Sequence, residues 1–162
     1  MTRRRTANAR PLKVLVPLDG SSNAERAVDR LDTLATTREL EVLLLRVVHR
    51  AQPYRGDDAA AYRSPAARQA FAREYLERVA QRLERRSIPV RVLVRAGEPA
   101  HEIVAAAARH RVQMIAMSTR GRSGMARVLL GSVAQAVVRD STVPVLLVSP
   151  ARRRATAGRT RG

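Results

Sequence analysis

Ser118-Thr-Arg-Gly-Arg-Ser-Gly-Met-Ala-Arg-Val-Leu-Leu-Gly131-Ser132 holds the residue types best able to bind a phosphate in this chain. It follows an apolar run, Val112 to Met117, and leads into a helical pattern, Val133 to Val138. A glycine-rich strand-to-helix connection exposes backbone N–H groups, and the first turn of the next helix adds unpaired N–H groups and the positive end of its dipole. An anion is held there without a lysine. Gly121 and Gly124 can take φ > 0 and admit a ligand close to the backbone, and Gly131-Ser132 sets a small residue and a hydroxyl at the helix start. Without a ligand, the same glycines serve as a turn between strand and helix.

Better-known glycine motifs fit poorly. A P-loop needs Lys directly after its last glycine, and Ser132 stands there. The dinucleotide fingerprint needs Gly-x-Gly-x-x-Gly after the first strand, whereas this loop follows the fourth. Gly121-Arg-Ser123-Gly-Met125 ends on Met where a nucleophile elbow requires Gly. His49, His101 and His110 lack metal-ligand spacing, and no Ser/His or carboxylate-pair constellation can be placed at one site. Asp57-Asp58 and Tyr54 fall in an irregular segment, where the carboxylates read as solvated and the tyrosine as a surface or partner contact; part of a lid over a bound ligand is its alternative role.

The elements that must position this loop alternate along the chain. Strands are expected over Lys13–Leu18, Glu41–Val48, Val90–Val94, Met114–Ser118 and Val143–Val148. Between the first two, Ala24, Ala27, Val28, Leu31 and Leu34 recur at helical spacing after a capping box, Ser22-Asn-Ala-Glu25. Ser64-Pro65 opens a second helix with the stripe Ala72, Tyr75, Leu76, Val79 and Leu83; Pro99 opens a third. This alternation predicts an α/β fold, an open five-stranded parallel sheet with right-handed crossovers and helices on both faces. Ligands in such sheets bind beyond the carboxyl ends of the strands, where strand order reverses. Asp19, at the end of the first strand, either accepts from ribose hydroxyls or caps the first helix.

Composition narrows the classes. The 162 residues fit one domain, with an aliphatic core, since only four residues are aromatic. The absence of Cys excludes disulfides and thiol chemistry, and no run reaches the roughly 18 apolar residues of a membrane helix, so the expected location is cytoplasmic. Net charge is +17. Residues 1–10 carry four Arg and residues 151–162 five, with no acid in either. Both are expected to be disordered basic tails flanking a domain over 11–150, with salt-dependent, sequence-blind affinity for polyanions.

Val14-Leu-Val-Pro-Leu-Asp19-Gly-Ser, Leu45-Arg-Val-Val, Gly97-Glu-Pro-Ala-His-Glu-Ile, the glycine loop, Leu129-Leu-Gly-Ser-Val and Val143-Pro-Val-Leu-Leu-Val resemble, in order and spacing, the universal stress protein family over about residues 11–150. Of its ATP signature Gly-x-x-Gly, nine residues, Gly-Ser/Thr, Gly121 and Gly131-Ser132 reproduce the second glycine, the gap and the final pair. Ser118 replaces the first glycine, and Arg120 stands where the family often has His. The resemblance implies strand order 3-2-1-4-5, an adenine nucleotide α hydrolase-like arrangement. It implies ATP with Mg2+ or Mn2+: adenine near Pro17 and the backbone of Val47, ribose near Asp19 with Ser118 at its edge, phosphates on Gly121, Arg122, Gly131, Ser132 and Val133, and Leu18 within the same ATP-binding set. A homodimer through Val143–Val148 follows from the last strand's place at the sheet edge. The expected function is an ATP-binding sensor or regulator, with no residue assigned to activate water; a nucleotide-free scaffold and an ATP-hydrolysing switch are the alternatives.

Overall fold

In the computed structural model, the described residues are 10–35, 39–49, 64–119 and 130–149. Their elements are β1 (Leu12–Pro17), α1 (Ser22–Ala35), β2 (Leu40–Val48), α2 (Pro65–Glu84), β3 (Val90–Ala96), α3 (Pro99–Arg109), β4 (Met114–Ser118), α4 (Ser132–Asp140) and β5 (Val145–Val148). All pairings are parallel and the order is β3-β2-β1-β4-β5, as the resemblance implied. The reversal lies between β1 and β4, so the β1–α1 and β4–α4 connections meet at one edge. Apart from Arg10, the two basic tails lie outside the described residues.

Side-chain alternation assigns the two faces. Val14, Val16, Val42 and Leu44 pack against Ala27, Leu31, Leu76 and Leu83 of α1 and α2. Leu15, Leu45, Ile115 and Met117 pack against Ile103, Ala107, Ala134 and Val137 of α3 and α4. The central strands are buried on both sides, which is why they read as unbroken aliphatic runs.

Local signals located several boundaries. Ser64 caps α2, its Oγ accepting from Ala67 N at 3.0 Å, with Pro65 at the first helical position. Pro99 begins α3 as expected. The first cap differs by one residue: Ser21, not Ser22, receives the helix, its Oγ accepting from Ala24 N at 3.2 Å. Glu25 is thereby one residue too far along to close a capping box. It turns instead toward α2, accepting from Tyr75 Oη at 3.2 Å and from Arg82, whose other nitrogen reaches Asp29 at 2.8 Å. Glu25 and Asp29 are four apart on α1, and Tyr75 and Arg82 seven apart on α2, so each pair shares a helix face.

Burial, followed by the charge and hydrogen bond of Glu25, holds the Tyr75 hydroxyl protonated well above the ordinary phenol range. Because its folded value exceeds its unfolded one, this stabilisation is complete below about pH 10 and is lost as pH rises beyond it. Urea midpoints should therefore fall above pH 10. In Tyr75→Phe that alkaline decline should flatten; an unchanged slope would show that Tyr75 is not its source.

The last strand begins at Val145 rather than Val143. Ile115 N donates to Pro144 O at 3.0 Å and Thr119 N to Val148 O at 3.0 Å, so even-numbered residues of this segment face β4. Pro144 thus turns its missing N–H away from the open side. Val145 and Leu147 direct their backbone N–H and C=O groups outward along the sheet edge. Among the described residues, no helix is long and apolar enough to cross a membrane.

Candidate functional site

The carboxyl edge of β1 is built by a tight turn. Leu18 is buried, its N–H donates to Leu45 O at 2.8 Å, and its carbonyl accepts from Arg46 Nη1 at 3.4 Å. Asp19 Oδ1 accepts from Ser21 N at 2.9 Å and Ser21 Oγ at 2.6 Å, and Ser21 then caps α1. Of the two roles open to Asp19, the structure displays an indirect capping one, through Ser21. Gly20 takes φ +84°, and a Cβ there would lie 2.7 Å from Arg46 Nη1. The Arg46 guanidinium also lies 5.5 Å over the Tyr75 ring, a cation–π contact that ties the turn to α2.

Across the reversal, β4 ends at Ser118 with Thr119 just beyond, both buried. Gly131 N donates to Thr119 O at 2.8 Å. The connection therefore leaves and returns at one hydrogen bond, with Gly131 as the N-cap of α4 and Ser132 as its first, exposed residue. Gln135 N is bonded to Gly131 O at 2.9 Å, so the N–H groups of Ser132, Val133 and Ala134 precede the first one able to reach a helical carbonyl. No side chain caps this end. It is a set of donors at a helix dipole's positive pole.

Gly131 has φ −69° and ψ 156°, a conformation open to any residue, and a Cβ there would lie 3.5 Å from Thr119 O, an ordinary contact. The fold does not require glycine at 131. Close approach of another molecule would.

Pro17 ends β1 and Val47 is the next-to-last residue of β2, on the side covered by α3 and α4, Val47 packing in the same cluster as Val133. Pro17, Leu18, Asp19, Ser118, Gly131, Ser132 and Val133 thus stand on the two connections at the reversal, with Val47 at the end of neighbouring β2. Gly121, Arg122 and Gly124, together with Tyr54 and Asp57-Asp58, lie outside the described residues. Sequence patterns did not single out Thr119, whose role is a backbone bond to a residue twelve positions on, or Arg46, which reads locally as a polar break in an apolar strand. Among the described residues, no group of three or more His, Asp or Glu could hold a metal ion.

The sequence model of the Universal stress protein family matches residues 12–149. The chain belongs to this family. Universal stress protein YxiE of Bacillus subtilis is 31% identical over 152 residues, covering 84% of this chain and 97% of that one. The solved protein MJ0577 of Methanocaldococcus jannaschii superposes with a TM-score of 0.74 at 28% identity, covering 87% of this chain and 97% of that one. A universal stress protein family structure from Arabidopsis thaliana, described with AMP bound, shares the fold at a TM-score of 0.62 and 18% identity, over 91% and 98% of the two chains. For a universal stress protein, then, the donors at α4 stand at the edge where the sheet order reverses.

Proposed function

We propose that this universal stress protein is a cytosolic ATP-binding regulator that acts as a homodimer. Gly131 carries the reading: a glycine that neither φ nor packing requires stands as the N-cap just before the N–H groups of Ser132 and Val133, which no side chain caps. Phosphates rest on Gly131, Ser132 and Val133, with Gly121 and Arg122 completing the loop; Pro17, Leu18 and Val47 receive adenine, and Asp19 and Ser118 the ribose. The AMP complex of the Arabidopsis relative supports an adenine nucleotide as ligand. The described donor set builds no metal cage of its own, so it suits only Mg2+ or Mn2+ carried by the triphosphate and its waters. The site binds ground and transition states alike, which suits a sensor better than a catalyst. Nucleotide retained through purification and released by denaturation should be adenine-containing; a well-folded protein that carries and binds none would favour the nucleotide-free scaffold.

The dimer forms along β5, where Val145 and Leu147 offer edge groups with no partner among the described residues and the strand carries no charged side chain to blunt association. Leu147→Pro removes one outward N–H while leaving the β4 ladder intact. It should convert a dimer sedimenting at tens of micromolar to a monomer with little change in helix content. A wild type that sediments as a monomer there would exclude this interface.

A further inference from the structure

The sheet has two edges, and they differ in charge. β5 at one edge is wholly apolar, whereas β3 at the other carries Arg91 and Arg95. Val42 N donates to Pro89 O at 2.9 Å and Gly97 N to Val48 O at 3.2 Å, so odd-numbered residues of this segment direct their backbone toward β2. Val90, Val92, Val94 and Ala96 direct theirs outward, and among the described residues no strand pairs with them there.

Apolar side chains along this edge are incompletely covered on both faces of the sheet. Val90, Val92 and Val94 are partly buried on the α1–α2 side and Leu93 on the α3–α4 side, while Val42, Leu44 and Leu45 of neighbouring β2 are fully buried. Arg91 and Arg95 flank Leu93 on its own face, about 13 Å apart. On β2 they stand opposite Leu43 and Val47, and neither has a carboxylate partner among the described residues. Glu41, which lines a small cavity with Arg91, is matched by Lys13 at 3.4 Å.

Two arginines on an open edge guard it against indiscriminate pairing. Their spacing also selects. Two copies of β3 paired antiparallel in the register of greatest overlap would centre on Leu93 and set each Arg91 opposite an Arg95, a repulsive arrangement. The same spacing attracts a strand that carries carboxylates four residues apart. We propose that the free edge of β3 docks an extended acidic segment of another protein as a sixth strand. Its two carboxylates meet Arg91 and Arg95, and the apolar residue midway between them covers Leu93. Main-chain bonds to Val92 and Val94 supply an affinity common to any extended chain, and the arginines supply the selection. This site stands apart from the nucleotide reading and uses the edge opposite β5.

The test pairs full-length protein at low ionic strength with a capped peptide, Thr-Glu-Val-Leu-Val-Glu-Thr, and reads calorimetry and amide hydrogen exchange. Saturable binding below about 1 mM is expected. It should weaken about tenfold or more when lysines replace both peptide glutamates, and again in Arg91→Glu/Arg95→Glu. Joining the lysine peptide to that variant should restore binding to within about threefold, which also shows that the variant folds. Exchange at the Val92 and Val94 N–H groups should slow about tenfold or more on binding, while Leu93, whose N–H already points toward β2, should not change. The Arg-rich ends of the chain attract the peptide too, but without altering exchange at Val92 and Val94. Absence of binding, binding that survives reversal of both arginines, or binding without protection of Val92 and Val94 would each overturn the site. Equal affinity for a peptide of the same composition with its glutamates adjacent would do so as well.

Discussion

Gly131→Ala should leave the fold intact and weaken ATP binding by at least about tenfold, or 1.4 kcal/mol. The backbone at 131 is in a region any residue adopts, and the new Cβ meets Thr119 O at contact distance. Alanine is a poorer N-cap than glycine by about 0.5–1 kcal/mol, and the reduced freedom of the unfolded chain returns about as much. Stability is therefore nearly unchanged. If phosphates bind as proposed, the methyl group stands against their approach to the N–H groups of Ser132 and Val133. Ser132→Ala should cost a further 1–3 kcal/mol, roughly 5- to 150-fold, if its exposed hydroxyl meets a charged phosphate. Urea unfolding and ATP calorimetry on the same samples separate the effects. A loss of stability by several kcal/mol in Gly131→Ala would mean that the fold requires this glycine.

Gly20→Val reverses the pattern, with an expected loss of about 2–3 kcal/mol in unfolding free energy. Most of the loss comes from the backbone at φ +84°, where an L side chain costs about 1–2 kcal/mol and a β-branched one more. The Arg46 guanidinium, 2.7 Å from the new Cβ, must also move. Being the end of a flexible side chain, it moves at small cost, but it leaves Leu18 O and the Tyr75 ring when it does. Gly20→Ala, with the same φ and no branch, should lose about 1–2 kcal/mol. A Val variant as stable as the Ala variant would show that branching at Cβ adds no strain in this turn.

Elements whose cause is local were legible in the sequence. Ser64-Pro65 and Pro99 open helices because a proline at the first helical position, with or without a hydroxyl cap before it, acts within a few residues. β4 runs from Met114 to Ser118 as its apolar run predicts. Errors arose where a distant partner competed with a local pattern. Ser22 and Glu25 satisfy the capping-box spacing, yet Tyr75 and Arg82, fifty or more positions away, recruit Glu25, and Asp19 orients Ser21 as the cap. Tyr75 reads as one more apolar position of α2, although its hydroxyl does the linking. Thr119 and Arg46 escaped because their contacts at the edge run through backbone atoms of residues distant in sequence.

Whether the donors at the start of α4 and the turn after β1 receive an adenine nucleotide is decided by titrating nucleotide-free, full-length protein with Mg-ATP in a calorimeter. A saturable heat with one ATP per chain is expected, reduced at least tenfold in affinity in Gly131→Ala. No heat from a wild type that unfolds cooperatively, or the same affinity in Gly131→Ala, would contradict nucleotide binding at this edge.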